Sequence, residues 1–301
     1  MKQAENALAN AGLKYKTKEP MKLHTSFKIG GEADFFVLPK NSQEVLIVKE
    51  ISKEFNLPLT VMGNGSNMLV SDFGIEGIVI SLEKMKDIFI EDSNVYAESG
   101  AVLGKVASIC LENSLTGMEF AAGIPGSIGG AVYMNAGAYG GEMKDIIQSV
   151  EVLRGDEIIK IPPNQCKFGY RESIFTDNDD IILSATLSLK KGNKEEIKET
   201  MRELARKRIE KQPLEYPSAG STFKRPKGYF AGALIQEAGL KGFAVGGAKV
   251  SEKHAGFVVN SGDATCADVL KLIKQVKEKV YENSGVILEE EVKVIGRQDN
   301  L

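Results

Sequence analysis

Hydrophobic positions fall with two periods along the first eighty residues. Val45, Ile47, Val48 and Ile51 recur near helical spacing behind Ser42, which can cap the helix; Asn56 and Pro58 stop it. Leu59-Thr60-Val61-Met62 then reads as a strand running into a glycine loop. Strand signals resume at Ile78-Val79-Ile80-Ser81-Leu82. From about residue 83 to 190 the text is mostly strand-like with one helix, over 102–113. Val95 to Glu98, Val150 to Leu153, Glu157 to Ile161 and Ile181 to Leu189 read as strands, and Arg154-Gly155-Asp156 is a hairpin signal.

The pattern resets near residues 190–200. A charged helix over 193–211 carries Glu–Lys and Glu–Arg pairs at i,i+3 and i,i+4 spacing and reads as a solvated linker face. Residues 230–239 form a helix ended by glycine, and Ala244-Val245 and Phe257 to Asn260 are short strands. An amphipathic helix over 265–283 presents Val269, Leu272, Ile273, Val276 and Val280 and stops at Gly285. Val292 to Ile295 closes the pattern as a strand. The 301 residues suit two or three domains.

Composition narrows the class. Hydrophobic residues make up 43%, charged residues 26%, and the net charge is −3, so no field favours nucleic acid or an anionic membrane. Cys110, Cys166 and Cys266 have no ligand spacing, which predicts neither disulfide framework nor metal; Cys110 reads as buried packing. No signal-peptide core opens the sequence. The uncharged stretch 120–141 holds seven glycines in 22 residues and reads as a buried, backbone-rich loop, not a membrane span. A cytoplasmic monomer is expected.

Two glycine-rich segments carry the chemistry. Gly63-Asn64-Gly65-Ser66-Asn67 follows a strand, but Met68 stands where a Rossmann fingerprint needs its third glycine, and Met68-Leu69-Val70 opens no helix. The loop can still approach a phosphate and offer it amides and side-chain donors. Gly123-Ile124-Pro125-Gly126-Ser127-Ile128-Gly129-Gly130 leads to Asn135-Ala136-Gly137, with apolar residues interleaved. Tight turns in a β-rich domain would explain one such segment. Two of them favour a phosphate-bearing ligand and an enzyme.

These segments stand in order with His24 to Gly31, Phe168-Gly169-Tyr170-Arg171-Glu172-Ser173, Ala219-Gly220-Ser221-Thr222-Phe223-Lys224 and Leu288 to Val292. Together the six motifs, over nearly the whole chain, resemble the UDP-N-acetylenolpyruvoylglucosamine reductase family. The resemblance implies an α+β protein: a two-subdomain FAD-binding module of the vanillyl-alcohol-oxidase type over 1–82 and 83–195, then an α+β substrate domain over 196–291. The strand within 292–301 would return to the first subdomain. It implies non-covalent FAD on Gly63, Asn64, Gly65, Ser66, Asn67, Gly123, Ile124, Pro125, Ser127, Ile128, Gly129, Gly130, Asn135, Ala136 and Gly137. NADPH would be co-substrate, and the reaction would reduce UDP-N-acetylglucosamine enolpyruvate to UDP-N-acetylmuramate for peptidoglycan.

By matching motifs the resemblance gives catalysis to three residues. Arg171 and Glu291 would hold the substrate carboxylate as charge develops on it, and Ser221 would supply the proton. Glu291 helps only when protonated or bridged, since two like charges would repel, and its pKa is expected to be raised. Lys224 is a candidate to assist Ser221. Tyr170, Lys211, Lys224, Arg225 and His254 would contact the UDP-sugar. Standing alone, each of these residues has a bland reading: a surface ion pair for Arg171, a turn for Ser221, a solvated strand start for Glu291. His254 is one of two histidines, and His24 reads as structural.

Two departures from the family pattern stand out. No tyrosine lies between Tyr170 and Tyr216, so the chain resembles the branch lacking a tyrosine lid. Glu290 replaces a common proline. Two alternatives stay open: another flavoenzyme on the same module, and a non-catalytic nucleotide-binding module. Many of the former attach flavin through His or Cys, and neither occurs in the glycine segments.

Overall fold

A computed structural model of the chain describes residues 1–297, so the end of the 292–301 segment lies outside the described residues. The chain forms two compact units, each built from separated stretches. The first comprises Met1–Lys16, Phe35–Asn64 and Gly77–Arg208. The second comprises Thr17–Asp34, Gly65–Glu76 and the chain from Ile209 onward.

In the first unit the strand signals assemble into a five-stranded antiparallel sheet. Its order is Glu157–Ile161, Ile147–Arg154, Ile181–Ser188, Asn94–Glu98, Ile88–Glu91. The hairpin turns at Gly155-Asp156, with Arg154 opposite Glu157. Leu59–Met62 runs parallel to Ile75–Ser81, pairing Leu59 with Ile78. Two apolar clusters lie inside this unit. One joins the sheet to the helix Leu103–Glu112, where Cys110 is buried, and the other joins Val45, Val48 and Ile51 to Ile78, Ile80 and Phe35.

Three local findings differ from the sequence expectations. Asn41, not Ser42, caps the helix Ser42–Glu54, its side-chain oxygen accepting the Glu44 N–H at 2.9 Å. The helix Lys2–Asn10 has no counterpart in the sequence reading; its buried Ala4 and Leu8 give too short an apolar stripe to stand out. The glycine-rich stretch is not all loop: Ile128–Tyr133 is a helix. Glycine disfavours a helix by about 1 kcal/mol relative to alanine, and here packing overrides that preference. The Ile128 and Gly129 amides donate to the Ala101 and Ser99 carbonyls at 2.9 and 2.8 Å, and a Cβ on Gly129 would overlap the Ser99 hydroxyl.

The second unit holds an antiparallel sheet of order Ser218–Ser221, Phe257–Asn260, Ala248–Val250, Ala244–Val245. The helix Cys266–Ser284 buries Val269, Leu272, Ile273, Val276 and Val280 against it. A capping box of Thr265 and Asp268 starts this helix, Asp72 accepts the Cys266 and Ala267 amides, and Gly285 ends it at φ 70°. Lys293–Ile295 pairs in parallel with Met68–Val70. No described helix is long and apolar enough to cross a membrane.

Candidate functional site

The first unit carries the second glycine segment. Ser127 stands at the N-cap position of the short helix, and among the described residues its buried hydroxyl has no hydrogen-bond partner. A Cβ on Gly63 would overlap that hydroxyl, so only glycine lets the first loop approach it. Gly123 faces Arg208 less tightly: a Cβ there would lie 3.2 Å from both Cδ and Nη1. Arg208 Nε is itself buried and has no hydrogen-bond partner among the described residues, and burial pulls this guanidinium below its ordinary pKa. Arginine keeps its charge in proteins. An orphaned hydroxyl and an orphaned cationic nitrogen beside closely approaching backbone suit an anionic group such as a diphosphate. The donor set therefore fits the FAD expected from the sequence.

Other backbone in this segment is already engaged. The Ile124 amide donates to Ala121, the Gly126 carbonyl accepts from Leu103, and the Ala136 amide donates to Ala131. Gly137 pairs with Glu142. Within the first loop, Gly63 and Asn64 belong to the first unit, and Gly65, Ser66 and Asn67 to the second.

Arg171 sits in a turn built on this same segment. Gly169 and Glu172 pair across it, the Gly169 amide donating to the Glu172 carbonyl at 3.0 Å. Arg171 has φ 59°, a left-handed conformation that non-glycine residues rarely adopt. Its Nη2 donates to the Gly137 carbonyl at 3.1 Å, and its guanidinium lies 5.2 Å from the Tyr170 ring centroid. Asn135, almost fully buried, holds the turn in place. Its amide donates to Glu142 and to the Gly169 carbonyl at 2.9 and 2.8 Å, and its oxygen accepts the Lys144 amide at 2.9 Å. A residue expected at the cofactor thus also organises the arginine turn. Lys144 holds the Glu142 carboxyl below its usual range, with further help from Asn135 and Arg171.

In the second unit Ser221 and Glu291 stand on neighbouring segments. Ser221 ends its strand opposite Phe257, beyond a register shift that begins after Ser218. Thr222 behind it is pinned three times. Its amide donates to Gly256 at 2.9 Å, its hydroxyl accepts the Val258 amide at 2.9 Å, and its carbonyl accepts the Glu291 amide at 2.8 Å. Phe223 bridges Glu290, and Lys224 Nζ pairs with Glu289 at 3.3 Å. Glu290, in the place of proline, pairs with Lys277 at 2.7 Å.

Around His254 the unit gathers cations. The ring stands edge-on to Phe257 with centroids 5.0 Å apart, and its Nδ1 accepts the Gly256 amide at 3.1 Å, which leaves the proton of the neutral form on Nε2. Burial lowers the His254 pKa first, and Lys241 and Lys211 lower it further. Arg225 lies 4.0 Å from the Phe230 centroid, and Tyr229 and Phe230 are exposed. Below pH about 6.5 an unfolded chain takes up a proton at this residue that the fold refuses. Stability is therefore lost as pH falls from that value towards the lowered one. NMR titration of the two histidines should give a His254 midpoint below 6.5. A midpoint at or above 6.5 would refute the neutral assignment.

Sequence reading missed Arg208. Its helix, Lys194–Lys211, is indeed laced with exposed pairs such as Lys207–Glu203. Yet Ile197 is buried and Met201 packs on the core, and Arg208 continues that stripe at helical spacing. The period was a usable signal hidden by the charge run. Burial also holds the Cys110, Cys166 and Cys266 thiols at about 12, 11 and 12, so none is a ready thiolate nucleophile.

Comparison with known proteins gives consistent matches. The family model for the UDP-N-acetylenolpyruvoylglucosamine reductase C-terminal domain matches residues 212–295, and that for an FAD binding domain matches 33–160. The chain is 52% identical over 281 residues to a UDP-N-acetylenolpyruvoylglucosamine reductase from Caldanaerobacter subterraneus subsp. tengcongensis, covering 93% of each. It is 51% identical over 283 residues to the protein of that name from Clostridioides difficile, again covering 93% of each. The crystal structure of UDP-N-acetylenolpyruvylglucosamine reductase from Thermus caldophilus superposes with a TM-score of 0.80 at 35% identity, over 94% of this chain and 98% of that one.

Proposed function

Because the chain belongs to the UDP-N-acetylenolpyruvoylglucosamine reductase family, and is a flavin-dependent oxidoreductase that uses FAD, we propose that it reduces UDP-N-acetylglucosamine enolpyruvate with NADPH. The observation that carries this reading is the joining of Ser221 and Glu291 through Thr222, a hydroxyl and a carboxyl on adjacent paired segments. FAD, when bound, supplies the hydride transfer between NADPH and the vinyl carbon of the substrate. Gly63 to Asn67, the segment from Gly123 to Gly137, Ser127 and Arg208 are the groups that would hold it.

The residues of the chain do the rest. The Arg171 guanidinium receives the enolpyruvyl carboxylate, whose charge grows as the vinyl carbon gains hydride. Glu291, in its protonated form, donates to the same carboxylate. Ser221 Oγ gives its proton to the carbon next to that carboxylate, completing the lactyl ether. One hydride and one proton enter the substrate, NADP⁺ leaves, and a proton from solvent restores the Ser221 hydroxyl. Lys211, Arg225 and His254 are candidates for the diphosphate and sugar. Lys224 is held by Glu289, so its help to Ser221 requires that pair to open.

A flavin spectrum tests the reading. The purified protein should carry a flavin absorption band that NADPH bleaches, and the enolpyruvyl substrate should restore it without oxygen. A colourless protein that takes up no FAD, or reduced flavin that the substrate leaves bleached, would sink the proposal. Cytoplasmic location and a monomeric state are further expectations of this reading.

A further inference from the structure

The first glycine loop does more than approach a ligand. Its second half, Gly65 to Asn67, is tied by two hydrogen-bonded arms to the segments carrying Ser221 and Glu291, all within the second unit. One arm is Asn67. Its side-chain amide donates to the Glu291 carbonyl at 3.2 Å, while its own carbonyl accepts the Lys293 amide at 2.9 Å. The other arm is Ser26. Its amide donates to the Gly65 carbonyl at 3.2 Å, and its hydroxyl donates to the Ser218 carbonyl at 2.7 Å.

The consequence is geometric. Glu291 is held at both of its peptide groups: the N–H by Thr222 and the C=O by Asn67. Fixing both peptide planes fixes φ and ψ, and with them the direction of the Cα–Cβ bond that aims the carboxyl. Asn67 supplies the one side-chain bond of the pair. The neighbouring contact, Lys293 to the Asn67 carbonyl, is backbone and survives substitution. Ser26 acts likewise at the far end of the Ser221 strand, just before its register shift.

We propose that Asn67 and Ser26 are positioning residues, through which the first glycine loop sets the aim of Glu291 and Ser221. The proposal rests on the reading given above and adds residues to it that touch neither proton nor carboxylate. A loop that braces the segments carrying both groups sets their alignment without taking part in flavin reduction. The predicted defect is therefore selective. Reduction by NADPH needs neither Ser221 nor Glu291, whereas reoxidation by the enolpyruvyl substrate needs both.

Anaerobic rapid mixing of the FAD-loaded enzyme measures the two halves separately. Asn67→Ala, Asn67→Asp, which replaces the donor with an acceptor, and Ser26→Ala are the variants. Reoxidation should slow about 10- to 100-fold, the cost of misaligning a reacting group, and by at least tenfold more than flavin reduction does. The steady-state loss should fall on kcat more than on KM. With Glu291→Ala already present, Asn67→Ala should add less than about twofold, because coupled residues do not add. Ser26→Thr should restore what Ser26→Ala loses. Because Asn67 also stands in the loop expected to hold FAD, its variants are compared only when saturated with FAD, and Ser26→Ala, outside that loop, is the independent arm. The inference is overturned by equal slowing of both halves in the FAD-saturated variants, or by full additivity with Glu291→Ala. A wild-type enzyme that the substrate does not reoxidise overturns the proposed function and this inference together. Normal wild-type reoxidation with unaltered variants overturns this inference alone.

Discussion

Ser221→Ala should leave a yellow protein that NADPH bleaches at close to the wild-type rate and that the enolpyruvyl substrate barely reoxidises. A positioned proton donor contributes about 10²- to 10⁴-fold to rate, so reoxidation should fall by that factor. Removing one hydroxyl makes no core cavity, because Ser221 is only half-buried. The strand should also survive, because Thr222 supplies its three pins through its own backbone and side chain. Ser221→Cys is the instructive companion. A thiol is a stronger acid than a serine hydroxyl and is larger, so measurable turnover in that variant supports proton donation over packing. Normal turnover in Ser221→Ala would remove the residue from the mechanism.

Arg171→Ala should retain FAD and lose most of kcat. Withdrawing one charge-stabilising donor from a developing anion costs about 10²- to 10³-fold. A structural role for this arginine can be told apart by its backbone. At φ 59° alanine keeps the strained left-handed conformation, and glycine relieves it. Arg171→Gly should therefore be more stable than Arg171→Ala, by about 1 kcal/mol, yet equally inactive. Equal thermal stability of the two would show that the turn does not hold that conformation in solution. Flavin loss in both variants would assign Arg171 to cofactor retention through its bond to the Gly137 carbonyl.

Much of this protein is local in origin and therefore legible in the sequence. The hairpin of Ile147–Arg154 and Glu157–Ile161 is set by alternation and a two-residue turn. The helix Cys266–Ser284 is set by its apolar stripe, its capping box and Gly285. Such features depend on neighbours within a few residues, so period and cap residues specify them. The helix Ile128–Tyr133 was illegible because its own residues argue against it. Only the close approach of Ser99 and the buried faces of Ile128, Ala131 and Val132 make it stable. Arg208 was obscured for the opposite reason: a run of charge is normally solvated, and its helical spacing from Ile197 and Met201 does not by itself say that its Nε is buried or that the side chain meets Gly123.

The sequence by itself determined the two glycine segments, the absence of a Rossmann fingerprint, and motifs specific enough to point to a reductase family. Those are statements about residue type and spacing. The tertiary structure alone decided what each motif is attached to. It joined Ser221 to Glu291 through Thr222, 69 residues away along the chain, and braced both from Ser26 and Asn67. It made Asn135, expected at the cofactor, the organiser of the Arg171 turn. Hydrogen bonds between distant segments leave no periodic trace in sequence, since any residue with the right donor would read the same until the chain brings its partner to within 3 Å.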